Sequence, residues 1–216
     1  MTISAAATAA TAILGIGLAS MPVAALSEDR TPLVDPGFEA GTVARDGGWQ
    51  MFGASRFSGD YARQGKTSML NGATSKSVPY PPYFVGTVSG SFQEFSAEPG
   101  TQWRLTGFGF TPRSLLGTPA FGIVQISFFD DRGRDLGTVE TTGSKTAKAK
   151  LSAEINNQSP AGEWIGLDTG IATAPEGTAT VQAFSIYVDY SGSNTFQGVY
   201  FDDLKLECVS DRCQDE

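Results

Sequence analysis

Short segments of alternating hydrophobicity, separated by turn-forming residues, dominate this chain and limit the folds that it can adopt. Gly contributes 26 residues and Pro 11 of the 216, while long runs of helical periodicity are absent. Alternation with a period of two, bounded by Gly, Pro, Asn and Asp, is typical of β-strands joined by tight turns. It predicts strands over Gly48–Arg56, Lys66–Leu70, Gly90–Phe95, Gln102–Phe110, Phe121–Phe129, Leu136–Thr142, Trp164–Thr173, Thr178–Asp189 and Gly198–Glu207. The pattern therefore predicts an all-β antiparallel sandwich.

The predicted connections differ in length and composition. Tight turns are expected at Glu98-Pro99-Gly100, Asp130–Gly133 and Ala174–Gly177, because Pro fixes φ and Gly accepts positive φ. Two connections are long. Asn71–Val88 contains the string Tyr80-Pro81-Pro82-Tyr83-Phe84, whereas Gly143–Gly162 is polar. Long loops are usually functional or mobile, so we expect the first to be functional and the second to be mobile.

The first 25 residues differ from the rest of the chain, because they carry no charged side chain. Ala5–Leu18 is an apolar run, and Val23-Ala24-Ala25 offers small residues at a cleavage point. This predicts a signal peptide over 1–25, a linker over 26–31, one domain over 32–207 and a tail over 208–216. An uncleaved membrane anchor is the alternative, although Thr and Ser dilute the apolar run. We expect export to the periplasm or the extracellular space, with no membrane insertion after cleavage.

The formal net charge of −8 makes the chain a poor electrostatic match for nucleic acid or anionic lipid. Neutral polymers, cations and basic partners remain compatible with it. The two cysteines, Cys208 and Cys213, lie five positions apart after the last predicted strand. In an exported protein we expect them to form a local disulfide, with a metal-binding thiol pair as the alternative.

Two short sequence motifs, which we call the opening and closing strings, lie at the two ends of the β-rich region. Leu33–Glu39 opens it with the sequence LVDPGFE, and Gly198–Leu206 closes it and contains Asp202 and Asp203. If the first and last strands are neighbours, Glu39 and one of the two aspartates can meet at one rim, where carboxylates and carbonyls suit calcium. Adjacent strand residues point to opposite faces, so only one aspartate can face the ion. Asp203 is the preferred ligand, and a solvated strand end is the alternative.

These strings and four internal segments resemble the galactose-binding-like β-sandwiches, which include many carbohydrate-binding modules. The internal segments are Ala62–Ser68, Gln93 with Pro99–Thr106, Phe128–Gly133, and Trp164 with Ala174–Thr178. The resemblance covers Leu33 to Leu206. It implies a two-sheet antiparallel jelly roll with a structural calcium. The implied ligands are Glu39, backbone oxygens of Gln64, Gly65 and Lys66, and one of Asp202 and Asp203. Asp35 stands where these modules usually have Asn.

The sequence offers few of the residue arrangements that enzymes use for catalysis. The chain has no histidine, which excludes a Ser-His-Asp or Cys-His arrangement and His-ligated zinc. A glycosidase-like pair of distant carboxylates is compatible with the sequence, but no pair stands out. We therefore predict that the protein is not an enzyme.

Aromatic side chains are the remaining candidates for ligand contacts. Both faces of Phe121–Phe129 are largely apolar, so one face is a candidate groove floor that carries Gln125. Sugar rings stack on aromatic planes while amides bind their hydroxyls. The candidate ligand-binding residues are Tyr80, Tyr83, Phe84, Gln125, Tyr187 and Tyr190. Core packing is the alternative for the loop aromatics, and it is the expectation for Trp49, Trp103, Phe128 and Trp164.

The leading hypothesis is an exported, non-catalytic, calcium-stabilised protein that binds a polysaccharide or another glycan. The alternative is a structural or protein-interaction component of the cell envelope or extracellular matrix. A small polysaccharide-active enzyme is the third hypothesis.

Overall fold

A computed structural model of the chain describes residues 31–72, 78–80, 84–115, 120–141, 149–190 and 197–213. Within these ranges the strands are β1 Gln50–Phe52, β2 Ala54–Ser58, β3 Ser68–Gly72, β4 Val78–Tyr80, β5 Phe84–Ser96, β6 Gln102–Phe110, β7 Ala120–Phe129, β8 Asp135–Gly137, β9 Lys150–Leu151, β10 Trp164–Thr173, β11 Thr180–Asp189 and β12 Gly198–Cys208. Three short 3-10 helices lie over Ala44–Asp46, Val139–Thr141 and Asp211–Cys213 within the same ranges. The predicted signal peptide lies outside the described residues.

The strands form two antiparallel sheets. The front sheet has the order β1-β5-β11-β7-β8, with β4 paired to β5 and β9 paired to β7. The back sheet has the order β10-β6-β12-β3-β2. The predicted two-sheet antiparallel sandwich is therefore confirmed. None of the described residues belongs to a helix long and apolar enough to cross a bilayer.

The core lies between the two sheets and is filled by alternate residues of the long strands. From the front sheet it takes Val124, Ile126, Phe128, Val181, Ala183 and Tyr187, and from the back sheet Met69, Leu105, Val199, Phe201 and Leu206. Trp49 is fully buried and Trp103 nearly so, as predicted. This burial of large apolar side chains is the main stabilising contribution to the fold.

Polar side chains also lie between the sheets, and they bind across the gap. Asn71 of β3 donates from Nδ2 to the carbonyl oxygen and the Oγ of Ser185 in β11, at 3.0 and 2.8 Å. The Oγ atoms of Ser91 and Ser185 are 2.8 Å apart. Because these groups are paired with one another, the interior accepts small polar residues where a hydrophobic pattern alone would place apolar ones.

Two strand predictions and one loop prediction are wrong in their limits. Gly48–Arg56 is divided at Gly53, whose φ of 68° turns the chain from the front sheet into the back sheet. Leu136–Thr142 stops being a strand at Gly137, and the hydroxyls of Thr138 and Thr141 then accept each other's backbone N–H. Asn71–Val88 is not one long loop, since it contains β4 and the beginning of β5.

The predicted turns are present, and each ends on a glycine in the left-handed region. The φ values are 79° at Gly100, 73° at Gly133 and 85° at Gly177. Asp130 closes its turn by accepting the backbone N–H groups of Arg132 and Arg134 at 3.1 and 2.8 Å. These bonds hold the pKa of the Asp130 carboxyl below its usual value. The turn chemistry was therefore predicted correctly from local sequence.

The edge strand β10 is interrupted by a bulge. Its register against β6 shifts between Asp168 and Ile171, where Gly170 has a φ of 65°. Beyond the bulge, Glu140 from the second 3-10 helix accepts the backbone N–H of Thr173 at 3.0 Å. The outer side of β10 is therefore bent and partly capped.

Candidate functional site

An aromatic row crosses the outer face of the front sheet, which we call the front face. Phe92 of β5 pairs with Phe184 of β11, which pairs in turn with Gln125 of β7. The rings of Phe92 and Phe184 are stacked, with centroids 5.1 Å apart and an angle of 30° between their planes. All three side chains are half-buried, so one side of each remains open to solvent. Together they form a flat platform with an amide at one end.

A polar row lies directly beside the aromatic row. Glu94, Gln182 and Ser127 occupy the same three strands two residues further along, in register with one another. Gln182 donates from Nε2 to Oε2 of Glu94 at 2.5 Å, and Gln125 donates from Nε2 to Oγ of Ser127 at 3.0 Å. The amides are therefore held in place by neighbours on the same face.

Phe52 extends the platform onto β1, and a glycine makes this possible. Its ring lies over Gly90, where an added Cβ would come within 2.4 Å of the Phe52 Cζ. The Phe52 and Phe92 ring centroids are 6.5 Å apart. On the other side, Phe121 of β7 packs near Tyr190, with centroids 6.1 Å apart. Ring contacts therefore occur at both margins of the front face.

The sequence candidates divide between the front face, the core and residues that are not described. Gln125 lies on the front face, and Tyr190 lies at its end with 43% of its surface exposed. Tyr80 and Phe84 are paired in register between β4 and β5. Tyr83 lies outside the described residues. Whether these residues contact a ligand stays a prediction.

Tyr187 was assigned to the wrong face. It is fully buried between the sheets, and this burial raises the pKa of its hydroxyl. Its neighbours Ala183 and Ser185 also point inward, so Phe184 and Ile186 point outward. Sequence analysis missed Phe52, Phe92 and Phe184 as site residues. Only the pairing of Phe184 with Gln125 across β11 and β7 identifies them.

The opening string lies against β12, although it is not a strand. Pro36 accepts the N–H of Leu204 at 3.0 Å, and Gln93 binds both the N–H and the carbonyl oxygen of Val34, at 3.0 and 2.7 Å. Left-handed residues at Asp35 and Phe38 prevent an extended conformation. Glu39 is consequently brought to the rim where β12 bends.

The Glu39 carboxylate holds the segment that precedes β3. It accepts the N–H of Lys66 at 2.9 and 3.0 Å and that of Thr67 at 2.9 Å. Gly65 has a φ of 65°, and an added Cβ there would lie 2.3 Å from the Glu39 Cδ. Because Lys66 and Thr67 bind Glu39, β3 begins at Ser68 rather than at Lys66 as predicted. Gly65 is therefore required for the close approach of this carboxylate.

Asp202 and Asp203 lie at a bulge of β12, and the prediction that they point to opposite faces is wrong. The register shifts after Asp202, and Asp203 has a φ of 48°. An added Cβ on Gly37 would have the Oδ1 atoms of both aspartates within 4 Å. Arg63 also contacts both, through its N–H to Asp202 at 2.7 Å and its Nη1 to Asp203 at 2.6 Å.

The two aspartates differ in their surroundings. Asp202 is fully buried, and this burial raises the pKa of its carboxyl to about 6, although hydrogen bonds from neighbouring backbone N–H groups oppose the rise. Asp203 is half-buried and is neutralised by Arg63, whose guanidinium lies 3.5 Å above the Phe108 ring. Asp202 is thus the carboxylate that a cation would stabilise more.

The rim fits calcium in the type of its donors. Asp202 and Asp203 contact Arg63, and Glu39 contacts Lys66 and Thr67, so carboxylate oxygens lie on both sides of Gln64 and Gly65. Hard oxygens are what calcium prefers. In this structure the three carboxylates bind N–H groups and Arg63. Among the described residues, no group of three Asp, Glu, His or Cys side chains is close enough to hold a metal. The ligand set therefore stays a prediction.

Cys208 and Cys213 lie at disulfide distance, with their Cα atoms 6.0 Å apart. The segment between them is also bound to the back sheet. Val209 donates its N–H to Gln102 at 2.8 Å, and Arg212 donates from Nη1 to the carbonyl oxygen of Pro99 at 3.2 Å. The cysteine pair thus closes a loop that is already attached to the sandwich.

No protein-family model and no curated protein matches this sequence. Solved structures do. The enzymatically active domain of tailspike protein 4 from bacteriophage CBA120 is 13% identical, with a TM-score of 0.51; the match covers 83% of this chain and 21% of that one. TmCBM61, solved in complex with β-1,4-galactotriose, is 14% identical over 83% of this chain and 99% of its own, with a TM-score of 0.49.

The C-terminal family 22 carbohydrate-binding module of Clostridium thermocellum Xyn10B is 12% identical, with a TM-score of 0.47. That match covers 81% of this chain and 92% of the module. The present chain thus corresponds to about a fifth of the tailspike domain and to nearly all of each of the two modules. Identities this low show the fold alone. At that level the predicted antiparallel β-sandwich is confirmed.

Proposed function

We propose that this chain is an exported, non-catalytic protein that binds a glycan on the front face. The observation that carries the proposal is the aromatic row of Phe92 and Phe184 beside the polar row of Glu94 and Gln182. Sugar rings present C–H groups on one face and hydroxyls around the edge. An open aromatic platform next to fixed amides and a carboxylate matches both features.

The polar groups of the front face are positioned before any ligand arrives. Gln182 is bound to Glu94, and Gln125 is bound to Ser127. Side chains that are already ordered lose less conformational entropy on binding, so each hydrogen bond to a sugar hydroxyl contributes more net affinity. The acidic net charge of −8 favours a neutral polysaccharide as the ligand of this face.

Calcium binding at the rim is the second part of the proposal. Glu39 and one of Asp202 and Asp203 would supply carboxylates, and Gln64, Gly65 and Lys66 would supply backbone oxygens. The ion would neutralise the buried Asp202 and stabilise the folded state by mass action. Glu39 and Asp202 already hold this segment through its backbone N–H groups, so the ion would reinforce an existing attachment.

Export is the third part. It is supported by the apolar first 25 residues and by the cysteine pair, because disulfides persist in oxidising compartments. The expected location is the periplasm or the extracellular space.

One observation favours an alternative, a structural or protein-interaction role in the envelope or matrix. The end of the front face beyond the aromatic row is apolar, with Ile123, Ile186 and Val188 packed against Phe121. Phe121 and Phe184 are half-buried members of this cluster, and apolar surface on a sheet face is also what a protein partner would cover. Glycan binding would therefore use the aromatic and polar rows, whereas protein binding would use the apolar end of this face.

The test is a glycan array followed by calorimetry, with wild type and Phe184→Ala. If the front face binds sugar, the variant should lose about 1–3 kcal/mol of binding free energy, the contribution of one aromatic contact. Ile171→Ala is the control, because Ile171 is 48% exposed on the back sheet. Binding that is unchanged in Phe184→Ala, or an array without any hit, would contradict the proposal and favour the protein-interaction role.

A further inference from the structure

A second row of large side chains crosses the outer face of the back sheet, which we call the back face. In register across the sheet it consists of Arg56, Leu70, Tyr200, Phe110 and Trp164. Trp164 was expected in the main core but packs here, 5.1 Å from the Phe110 ring. The row thus begins with a cation at the edge strand β2 and continues as an apolar surface.

The neighbouring row is almost without side chains, and this creates a cleft. Ala54, Gly72 and Gly198 are paired in register two residues away from Arg56, Leu70 and Tyr200. A Cβ on Gly198 would lie 2.6 Å from the Asn71 carbonyl oxygen, so no larger residue fits. The segment from Thr111 to Leu115 forms the opposite wall. The resulting cleft has a volume of about 180 Å³.

Two arginines line this cleft without a carboxylate partner. Arg56 and Arg113 are both exposed, and within the described part of the chain neither forms an ion pair. Other arginines of the same chain do form ion pairs with carboxylates, namely Arg45, Arg63, Arg104 and Arg134. Asp60 lies beside the cleft, where its carboxylate accepts a hydrogen bond from the Tyr200 hydroxyl at 3.4 Å. In a protein with a net charge of −8, two guanidinium groups without an ion pair at one small cleft favour the binding of an anion there.

We propose that this cleft binds the carboxylate of an acidic sugar, a single uronic acid residue. Guanidinium groups bind planar carboxylates through paired, charge-assisted hydrogen bonds, which Arg56 and Arg113 can supply. Tyr200 and Leu70, each 8% exposed, form the apolar floor of the cleft beneath the sugar ring. The cleft is smaller than the usual site for an extended ligand, so it suits one ring rather than a chain. This site lies on the opposite sheet from the proposed glycan platform and takes a ligand of different charge.

The experiment is an NMR titration of the full-length protein with galacturonic acid and, as a matched neutral sugar, galactose. Galacturonic acid should shift the amide signals of residues around Gly72, Arg113 and Gly198. Arg56→Ala and Arg113→Ala should each weaken its binding roughly tenfold or more, the loss expected for one charge-assisted partner. Arg132→Ala is the control, because Arg132 is an exposed, unpaired arginine in the described β7–β8 turn and does not line the cleft.

Two further arms separate the alternatives. Acetate tests the carboxylate alone: binding of acetate as tight as that of galacturonic acid would overturn the sugar part of the proposal. Equal shifts of the amide signals around Gly72, Arg113 and Gly198 by galactose, or galacturonic acid binding that is unchanged in both cleft variants, would overturn the site itself. Phe184→Ala should leave galacturonic acid binding intact, so the failure of this site and the failure of the front-face proposal are distinguishable.

Discussion

The two outer faces of the sandwich carry similar aromatic rows but expose them to different extents. On the front face, Phe92 and Phe184 are half-buried and open to solvent. On the back face, Tyr200 and Phe110 are only 8% and 7% exposed, because the Tyr61 ring lies 5.0 and 4.9 Å from them. Aromatic composition alone does not therefore distinguish a binding platform from a secondary core.

The difference comes from one connection, the segment 59–67 between β2 and β3. It lies across the back face and is attached at the rim, where Asp202 accepts the N–H of Arg63 and Glu39 accepts those of Lys66 and Thr67. The acidic side chains of the rim thus attach the segment that covers the aromatic row of the back face. The rim carboxylates thus hold the cover over the back row, whereas Phe92 and Phe184 of the front row stay open to solvent.

Asp202→Ala should have the largest effect on stability, because it loosens the segment that covers the back face. It removes the acceptors of the Arg63 and Asp203 N–H groups, and each unsatisfied donor costs about 1–3 kcal/mol. We expect a loss of about 2–3 kcal/mol in the free energy of unfolding, measured by urea denaturation, with front-face glycan binding retained. Chelation of wild type should destabilise in the same direction if calcium is bound.

Asp131→Ala is the matched control for Asp202→Ala, because Asp131 is exposed in a turn. An Asp202→Ala protein as stable as Asp131→Ala would show that the rim does not hold the covering segment. A melting curve of wild type that a chelator does not move would contradict the calcium site.

Gly90→Ala should disturb the front face instead. The new Cβ would lie 2.4 Å from the Phe52 ring and 2.7 Å from the Ser185 carbonyl oxygen, and overpacking of this kind costs about 1–3 kcal/mol. Glycan affinity should fall as Phe52 moves. Gly166→Ala on the back sheet is the control, because the atom nearest to its Cβ would be 3.9 Å away. Equal stability and affinity in the two variants would contradict the placement of Phe52.

The pH dependence of stability should show whether the pKa of Asp202 is raised in the folded state. Because its pKa is raised in the folded state, its contribution to stability is fully present below its ordinary value of 3.8 and is lost as the pH rises through about 6. In chelator, the Tm of wild type should fall across this window relative to Asp202→Asn. Parallel curves for the two proteins would show that Asp202 titrates normally. Calcium should flatten the wild-type curve, since the ion competes with the proton.

Reduction of the cysteine pair should have the smallest effect. A bridge that closes so short a loop contributes at most about 2 kcal/mol, and Val209 and Arg212 still attach the segment. The Tm should fall by a few degrees at most, with both faces unaffected. Global unfolding in reductant would show that the tail supports the whole sandwich, and free thiols in protein from an oxidising compartment would contradict the bond.

Regular alternation made the long strands predictable. The limits of β6 and β10 are those predicted, Gln102–Phe110 and Trp164–Thr173, because turn signals mark their ends. The orientation of β11 was not predictable in the same way. Its inward side carries Ala183 and Ser185 and its outward side Phe184 and Ile186, so hydrophobicity at these positions favours the orientation opposite to the observed one. The inward serine is satisfied by Asn71 from the other sheet, a partner that is distant in the sequence.

Identification of the candidate site depended even more on contacts between segments that are distant in the sequence. Gln125 was identified because its own strand isolates it as a polar residue. Phe92 and Phe184 became site residues only through their register with it. The bulge at Asp203 likewise follows from the bond between Leu204 and Pro36, which no local pattern indicates. Local chemistry therefore predicted turns and motifs, while side-chain direction depended on tertiary pairing.

The bulge in β10 also affects how this protein behaves towards other copies of itself. An edge strand offers unpaired N–H and carbonyl groups along which a second sheet can extend. The bend at Gly170 breaks that row, and the Glu140 carboxylate occupies the Thr173 N–H beyond it. A flat strand from another molecule therefore has no continuous edge of β10 to follow. Such an edge lets the protein present an open aromatic surface without aggregating through its strands.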